Sequence, residues 1–208
     1  MNRTILFANT LLWGLLPACG AGLSSKAAPP TDPAIAQANQ RNPFLDAEFF
    51  LNPDYVNAVE ASAQAAPAEA EAIRKVKRYP TALWQSSIAA GSNVPRWRGQ
   101  AKPQQQASGK RTLSLFVVYD LPNRDCAAKA SAGELKMSEN GLQRYKSEFI
   151  DPIVAILKKY PDQPVVILLE PDSLPNLATN MNIPACQEAK TGYMEGIAYA
   201  IKSLSQLP

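Results

Sequence analysis

The sequence predicts an α/β fold built on parallel strands, and three observations carry that prediction. Short apolar runs alternate along the chain with longer segments of helical spacing. The strand runs are apolar throughout, not alternating apolar and polar, as expected of strands covered on both faces. Strand-helix-strand-helix order with such runs implies parallel pairing through right-handed crossovers.

Residues 53–79 read as helical with one interruption at Pro67, and "AEAEAIRKVKRY" ends with basic residues in its last turns, where they suit the helix dipole. Thr81 to Trp84 is a short strand. Residues 87–110 hold few apolar anchors and several breakers, so only a short helix is expected there. "TLSLFVVY", residues 112–119, is a strong buried strand. Residues 138–160 place Leu142, Tyr145, Phe149, Ile150, Ile153 and Leu157 at helical spacing, with Asp151-Pro152 marking a kink or a fresh N-terminus. Residues 165–169 form the next strand. Residues 187–206 form a last helix with Tyr193, Ile197, Ala200, Ile201 and Leu204 on one side. Three strands are legible, and the chain ends at Leu207-Pro208 where a fourth is expected. Three parallel strands cannot close a barrel and leave both sheet edges open, so the chain reads as truncated after about three strands.

The chain has 208 residues, 46% of them hydrophobic, enough for one sizeable core. Its formal net charge of +3 is small and dispersed, which argues against nucleic acid or an anionic membrane as partner. Histidine is absent. That excludes a Ser-His-Asp or Cys-His site and the usual histidine-containing zinc site. Acid–base chemistry must then fall to carboxylates, Tyr or Lys. There is no phosphate-loop or dinucleotide-binding pattern, and no cofactor or metal is called for.

The N-terminus has the form of an export signal over residues 1–20: Arg3, an apolar core from Ile5 to Leu16, then Ala18-Cys19-Gly20. The apolar run is too short to span a membrane. "LPAC" also fits a lipoprotein box that would lipidate Cys19, so secretion and a periplasmic or outer-membrane lipid anchor both stay open. Residues 21–41 are rich in Ala, Ser and Pro and read as a linker, and residues 42–208 as the folded domain. Cys126 and Cys186 remain beyond Cys19. In an exported chain an even pair suggests a disulfide, worth roughly 3–4 kcal/mol, the alternative being two free core thiols.

In parallel α/β folds the functional side is the carboxyl end of the strands. Two strands here end in acids: "YDLPNRDC" carries Tyr119, Asp120 and Asp125, and "EPDS" carries Glu170 and Asp172. Any one of these acids is better explained as a helix cap or turn residue. Two clusters at neighbouring strand ends, in a chain without histidine, point to carboxylate catalysis.

"FVVYDLPNRDCAAKASAGE" and "LLEPDSLPNLATN" resemble the two signature segments of glycoside hydrolase family 6, which cleaves β-1,4-glucan. "NPF" at 42–44, "YPTALW" at 79–84 and "IPACQEAKTGYMEGIAYAI" extend the resemblance over roughly residues 42–208. The resemblance implies part of a distorted parallel (TIM-like) β/α barrel and an inverting glycosidase acting on cellulose or β-glucan, with monomeric organisation of the complete protein. It implies Asp172 as the general acid, with Asp125 as the neighbouring charge that favours its protonated form. An aspartic acid with the ordinary pKa near 3.9 holds its proton in only about one molecule in a hundred at pH 6, so such a donor needs a like charge and a low-dielectric cleft. By the same resemblance Tyr119 sits beside the distorted sugar ring, Ser131 holds the attacking water, Trp84 stacks on a glucose face, and Cys126 pairs with Cys186. Without the flanking signatures, Tyr119 and Trp84 would read as core and Ser131 as a loop residue. Glu170 is expected to hold the loop by hydrogen bonds without touching sugar.

The resemblance has gaps. After Trp84 the family commonly has an Asp, where this chain has Gln85-Ser86-Ser87. The later strand-end Asp, stacking tryptophans and base region of the family are not found in it, so little or no activity is expected of this chain alone. Two other classes stay in view: a non-catalytic exported glucan-binding or structural protein on the same scaffold, and an exported hydrolase whose strand-end acids hold a divalent metal.

Overall fold

The computed structural model describes residues 44–207. The export signal, Cys19 and the linker lie outside these residues. Four strands form one open, all-parallel sheet: β1 (Ala47–Phe49), β2 (Leu83–Gln85), β3 (Arg111–Val118) and β4 (Val165–Leu169). The expected count of three is thus corrected to four. A three-residue strand is too short to show a hydrophobic period, and β1 owes its pairing to the longer β3.

β3 is the axis. Its residues pair with β4 over Ser114–Val118 on one side. On the other side β1 meets its first residues and β2 its last. Phe50 N–H donates to the Leu113 carbonyl and Tyr119 N–H to the Gln85 carbonyl. Both bonds use odd-numbered positions of β3, which point to the same edge because strand geometry alternates. β1 and β2 therefore lie end to end along that edge. The "LFVV" end of β3 is buried except for half-buried Leu115, as its continuous apolar text requires.

The helices follow local rules. α1 (Pro53–Ala65) starts at Asn52, whose side chain accepts from Asp54 N–H at 2.9 Å, with Pro53 at its first position. It stops before Pro67, and after a short 3₁₀ turn α2 (Ala70–Val76) ends in basic residues. α3 (Ile88–Gly91) is capped by Ser87.

α4 (Val94–Ser108) runs for 15 residues and corrects the expectation of a short helix at 87–110. It buries Val94, Arg98 and Ala101, one face at helical spacing whose middle member reads in sequence as a solvent residue. Arg98 is wholly buried and donates to the Gln163 and Tyr160 carbonyls. Gln104 accepts from Leu51 N–H and donates to Glu48 and Phe49, while Gln105 accepts from Thr112 N–H. Polar side chains thus dock this helix in place of apolar ones. It ends at Gly109, whose φ of 66° is the left-handed stop that glycine adopts without cost.

The helix predicted over 138–160 runs unbroken from 141 to 157, after a 3₁₀ turn that ends at left-handed Asn140, and it changes pitch within that span. α5 (Gly141–Arg144) passes into a π-helical segment, Tyr145–Ile150, before α6 (Asp151–Leu157). Asp151 N–H bonds to the Lys146 carbonyl, five residues back, just before Pro152, which has no N–H to give. The Asp151-Pro152 pair thus marks a π-bulge. A further helix, α7 (Ser173–Thr179), follows β4 directly.

α8 (Pro184–Leu204) buries Cys186, Ala189, Gly192, Tyr193, Gly196 and Ala200, while Ile201 is exposed. The expected face packs at Tyr193, Ile197, Ala200 and Leu204, while Ile201 is exposed and small residues extend the buried side. A Cβ at Gly196 would come within 2.3 Å of Leu121, and one at Gly192 within 2.6 Å of Met137. Small residues let this helix lie directly against the chain that leaves β3.

Candidate active site

β3 and β4 end side by side, with Val118 paired to Leu169. The chain leaves β3 as Tyr119-Asp120 and doubles back in a tight loop, Arg124 N–H bonding to the Leu121 carbonyl. Asn123 and Asp125 take left-handed backbone conformations, with φ of 57° and 51°. These turns carry Asp125 back toward Tyr119. Beyond β4, Glu170 is also left-handed at φ 46°, and Asp172 stands at the N-cap position of α7.

The phenol oxygen of Tyr119 joins the two acids. It lies 2.6 Å from Asp125 Oδ1 and 3.1 Å from Asp172 Oδ2. Burial first, then the two carboxylates, push the Tyr119 phenol far above its ordinary range, so it stays a neutral hydroxyl. That hydroxyl has one hydrogen. When it donates to Asp125 at the shorter distance, the Asp172 contact lacks a hydrogen unless Asp172 brings its own.

Arg124 holds the surroundings. Its Nη1 donates to the carbonyls of Ser86 at 2.7 Å and Tyr119 at 2.6 Å, and its Nε to that of Ser131 at 3.0 Å. Its guanidinium also lies over the Tyr119 ring, 4.8 Å from the centroid. Gly133 leaves room for it, since a Cβ there would stand 2.9 Å from Arg124 Nε. Glu134 accepts from Ile88 N–H at 2.7 Å and so ties the same loop to the start of α3.

Two further acids sit behind this layer. Asp120 is wholly buried, and one of its carboxyl oxygens has no hydrogen-bond partner. Burial raises its pKa to about 8 despite the Arg124 guanidinium, with Glu134 and Glu170 adding to the rise. Glu170 is 2% exposed and accepts from the backbone N–H groups of Asp120 at 3.0 Å and Leu121 at 3.4 Å. Burial lifts it to about 7 against those hydrogen bonds and against Tyr145 and Arg124.

Of the residues singled out from sequence, Tyr119, Asp125 and Asp172 meet directly. Trp84 is 56% exposed and meets the Tyr119 ring edge-on, centroids 5.9 Å apart. Its exposed face is free for another flat or C–H-rich surface. Ser131 lies in a short 3₁₀ turn with its side chain exposed and its carbonyl bound to Arg124. Cys126 and Cys186 form a disulfide, which fastens the residue after Asp125 to the start of α8. Arg124, Glu134, Tyr145 and Tyr193 were not singled out as site residues. Arg124 stands inside the quoted "YDLPNRDC", where an arginine amid loop acids was its only signal. Among the described residues no three His, Cys, Asp or Glu side chains converge as a metal site.

A parallel β/α scaffold presenting paired carboxylates and an exposed tryptophan at its strand ends defines the class of protein: a carboxylate-based site on an open α/β sheet. The chain belongs to glycosyl hydrolases family 6, whose sequence pattern matches residues 44–208. It is 40% identical to exoglucanase A of Cellulomonas fimi over 189 residues, covering 86% of this chain and 22% of that relative. It is 42% identical to the 1,4-beta-D-glucan cellobiohydrolase CEL6C of Podospora anserina over 175 residues, covering 83% and 42%. The catalytic domain of Cellulomonas fimi Cel6B superposes with a TM-score of 0.76 at 41% identity, covering 80% of this chain and 40% of that one. CcCel6C of Coprinopsis cinerea superposes at 0.74 with 38% identity, covering 79% and 46%. The chain therefore spans less than half the length of each of these relatives.

Proposed function

We propose that this chain carries the proton-donating side of an exported glycosidase that cleaves β-1,4-glucosidic bonds. Asp172 is the general acid toward the leaving oxygen. Asp125 is the charge that keeps that proton in place and then stabilises the oxocarbenium-like transition state. Tyr119 links the two beneath the sugar ring, Trp84 stacks on a glucose face, and Ser131 holds the attacking water. The observation that carries this reading is the single Tyr119 hydroxyl between Asp125 Oδ1 at 2.6 Å and Asp172 Oδ2 at 3.1 Å. A proton on Asp172 completes the second hydrogen bond, so the geometry suits a neutral acid beside a charged neighbour. Relatives named as glucan cellobiohydrolases support β-1,4-glucan as the substrate class.

Two carboxylates on one phenol oxygen stand too close for the acid and base of an inverting pair, about 6.5–9.5 Å apart. Asp125 is therefore assigned as the charge partner, with the base elsewhere. The same closeness favours a second reading, in which Asp125 is the nucleophile of a retaining enzyme, whose carboxylates stand about 5–5.5 Å apart. The anomer first released, followed by NMR, separates them: α for inversion, β for retention.

The general test is reducing-sugar release from soluble β-glucan, by this chain and by any longer polypeptide that contains it. Loss of release in Asp172→Asn, with the fold retained, supports the assignment; unchanged release overturns it. Binding of cello-oligosaccharide without any release would favour a glucan-binding protein, and loss of activity with a chelator the metal-dependent class.

A further inference from the structure

We propose that Glu170 is the positioning residue that registers the two acid-bearing strand ends against each other. This inference rests on the reading of Asp125 and Asp172 given above. Glu170 is held at three places. Its N–H donates to the Val118 carbonyl at 2.8 Å, continuing the β3–β4 ladder by one bond. Its carboxyl oxygens accept from Asp120 and Leu121 N–H, the first residues of the segment that leads to Asp125. Its carbonyl accepts from Ser173 N–H at 3.2 Å and Ser173 Oγ at 2.7 Å, closing the turn that contains Asp172.

The backbone shows why the residue is there. A non-glycine residue at positive φ is uncommon and strained. A turn alone would be served better by Gly or Asn at this position. Glu170 accepts the strained conformation at φ 46° while its carboxyl group spans to the neighbouring strand end. A shift of either end past the other would break bonds on both sides of Glu170 and part the Asp172 and Asp125 contacts at Tyr119.

The groups facing the carboxyl are Asp120 and Arg124 from the loop after β3, Tyr145 from the π-helical segment, and Tyr193 from α8. Two backbone N–H groups bind a carboxylate more strongly than a neutral carboxyl. The hold on Asp120 and Leu121 therefore tightens as Glu170 ionises, which burial delays to about pH 7.

The test is an NMR pH titration of the full chain, following the Asp120 and Leu121 amides and the carboxyl carbon of Glu170, with a crystal structure of Glu170→Gln beside it. Both amide protons are expected to move downfield with the midpoint of the Glu170 carboxyl carbon. Asp120→Asn separates the contribution of Asp120, and the Leu121 shift should survive it. In Glu170→Gln the amide titration should vanish, and Tyr119 Oη should part from Asp125 or Asp172. A side chain that merely fills space would leave both Tyr119 contacts intact in the isosteric Gln. Amides that do not follow Glu170, or unchanged Tyr119 contacts in Glu170→Gln, overturn the proposal. Should Glu170→Gln not fold, the titrations of the wild type and of Asp120→Asn still decide it by the Leu121 amide. If the positioning role stands while Asp172→Asn leaves reducing-sugar release unchanged, the catalytic reading alone fails.

Discussion

The loop after β3 and the turn after β4 each deliver one acid to the same tyrosine, but they are held very differently. The Asp125 loop is fastened from behind by α8. The Cys126–Cys186 disulfide, the Tyr193 hydroxyl donating to the Asn123 carbonyl at 2.8 Å, and the close approach of Gly192 and Gly196 all act on it. Arg124 and Glu134 then tie it to the loop after β2. Asp172 stands exposed at a helix start, and its side chain meets Tyr119. The proposed charge partner is anchored and the proposed acid is left accessible, as a group that must give its proton to an outside molecule has to be. Changes on the Asp172 side should cost function with little stability, and changes behind Asp125 should cost stability.

The largest expected effect is on function. In an active longer polypeptide that contains this chain, Asp172→Asn should lower hydrolysis of unactivated β-glucan by about 10²–10⁴-fold, the usual range for a lost general acid. Its unfolding free energy should stay within about 0.5 kcal/mol of the parent, as for other exposed substitutions. Activity assays paired with denaturant melts test both halves. A large stability loss would mean that the β4 turn is as anchored as the β3 loop.

Breaking the anchor comes next. The disulfide closes a 60-residue separation, for which the chain-entropy relation gives about 4 kcal/mol. Cys186→Ser, or reduction of the parent, should lower the denaturant midpoint accordingly while leaving Asp172 in place.

Buried acids give a pH signature. Burial raises Asp120 to about 8 and Glu170 to about 7, so the folded state holds their protons more tightly than the unfolded chain does. Their contribution is complete below the unfolded carboxyl range, near pH 4, and is lost as pH rises through about 7–8. The melting temperature should be higher at pH 5 than at pH 9, with a smaller difference in Asp120→Asn. The smallest effect is Tyr193→Phe, which removes one hydrogen bond from the anchored loop and should cost about 1 kcal/mol.

Much of this comparison was legible in the residues. Continuous apolar runs announced β3 and β4, and the acids at their ends marked where Tyr119, Asp125 and Asp172 meet. The supports were harder to see. α4 is docked through Arg98, Gln104 and Gln105, whose polar text mimics a solvent face. The buried face of α8 depends on glycines that carry no hydrophobic signal. Asn123 and Asp125 are residue types that enter the left-handed turn readily, but Glu170 is not, so its identity did not declare the turn that carries Asp172 onto Tyr119. β1 escaped notice because three residues show no period.

In the proposed site Asp172 brings its own hydrogen to a tyrosine already donating to Asp125. Neutron diffraction from a deuterated crystal of the chain tests it directly. The expected result is one deuterium on Tyr119 Oη directed at Asp125 and a second on Asp172 directed at Tyr119 Oη. A bare Asp172 carboxylate, with the tyrosine deuterium turned toward it, would contradict the account.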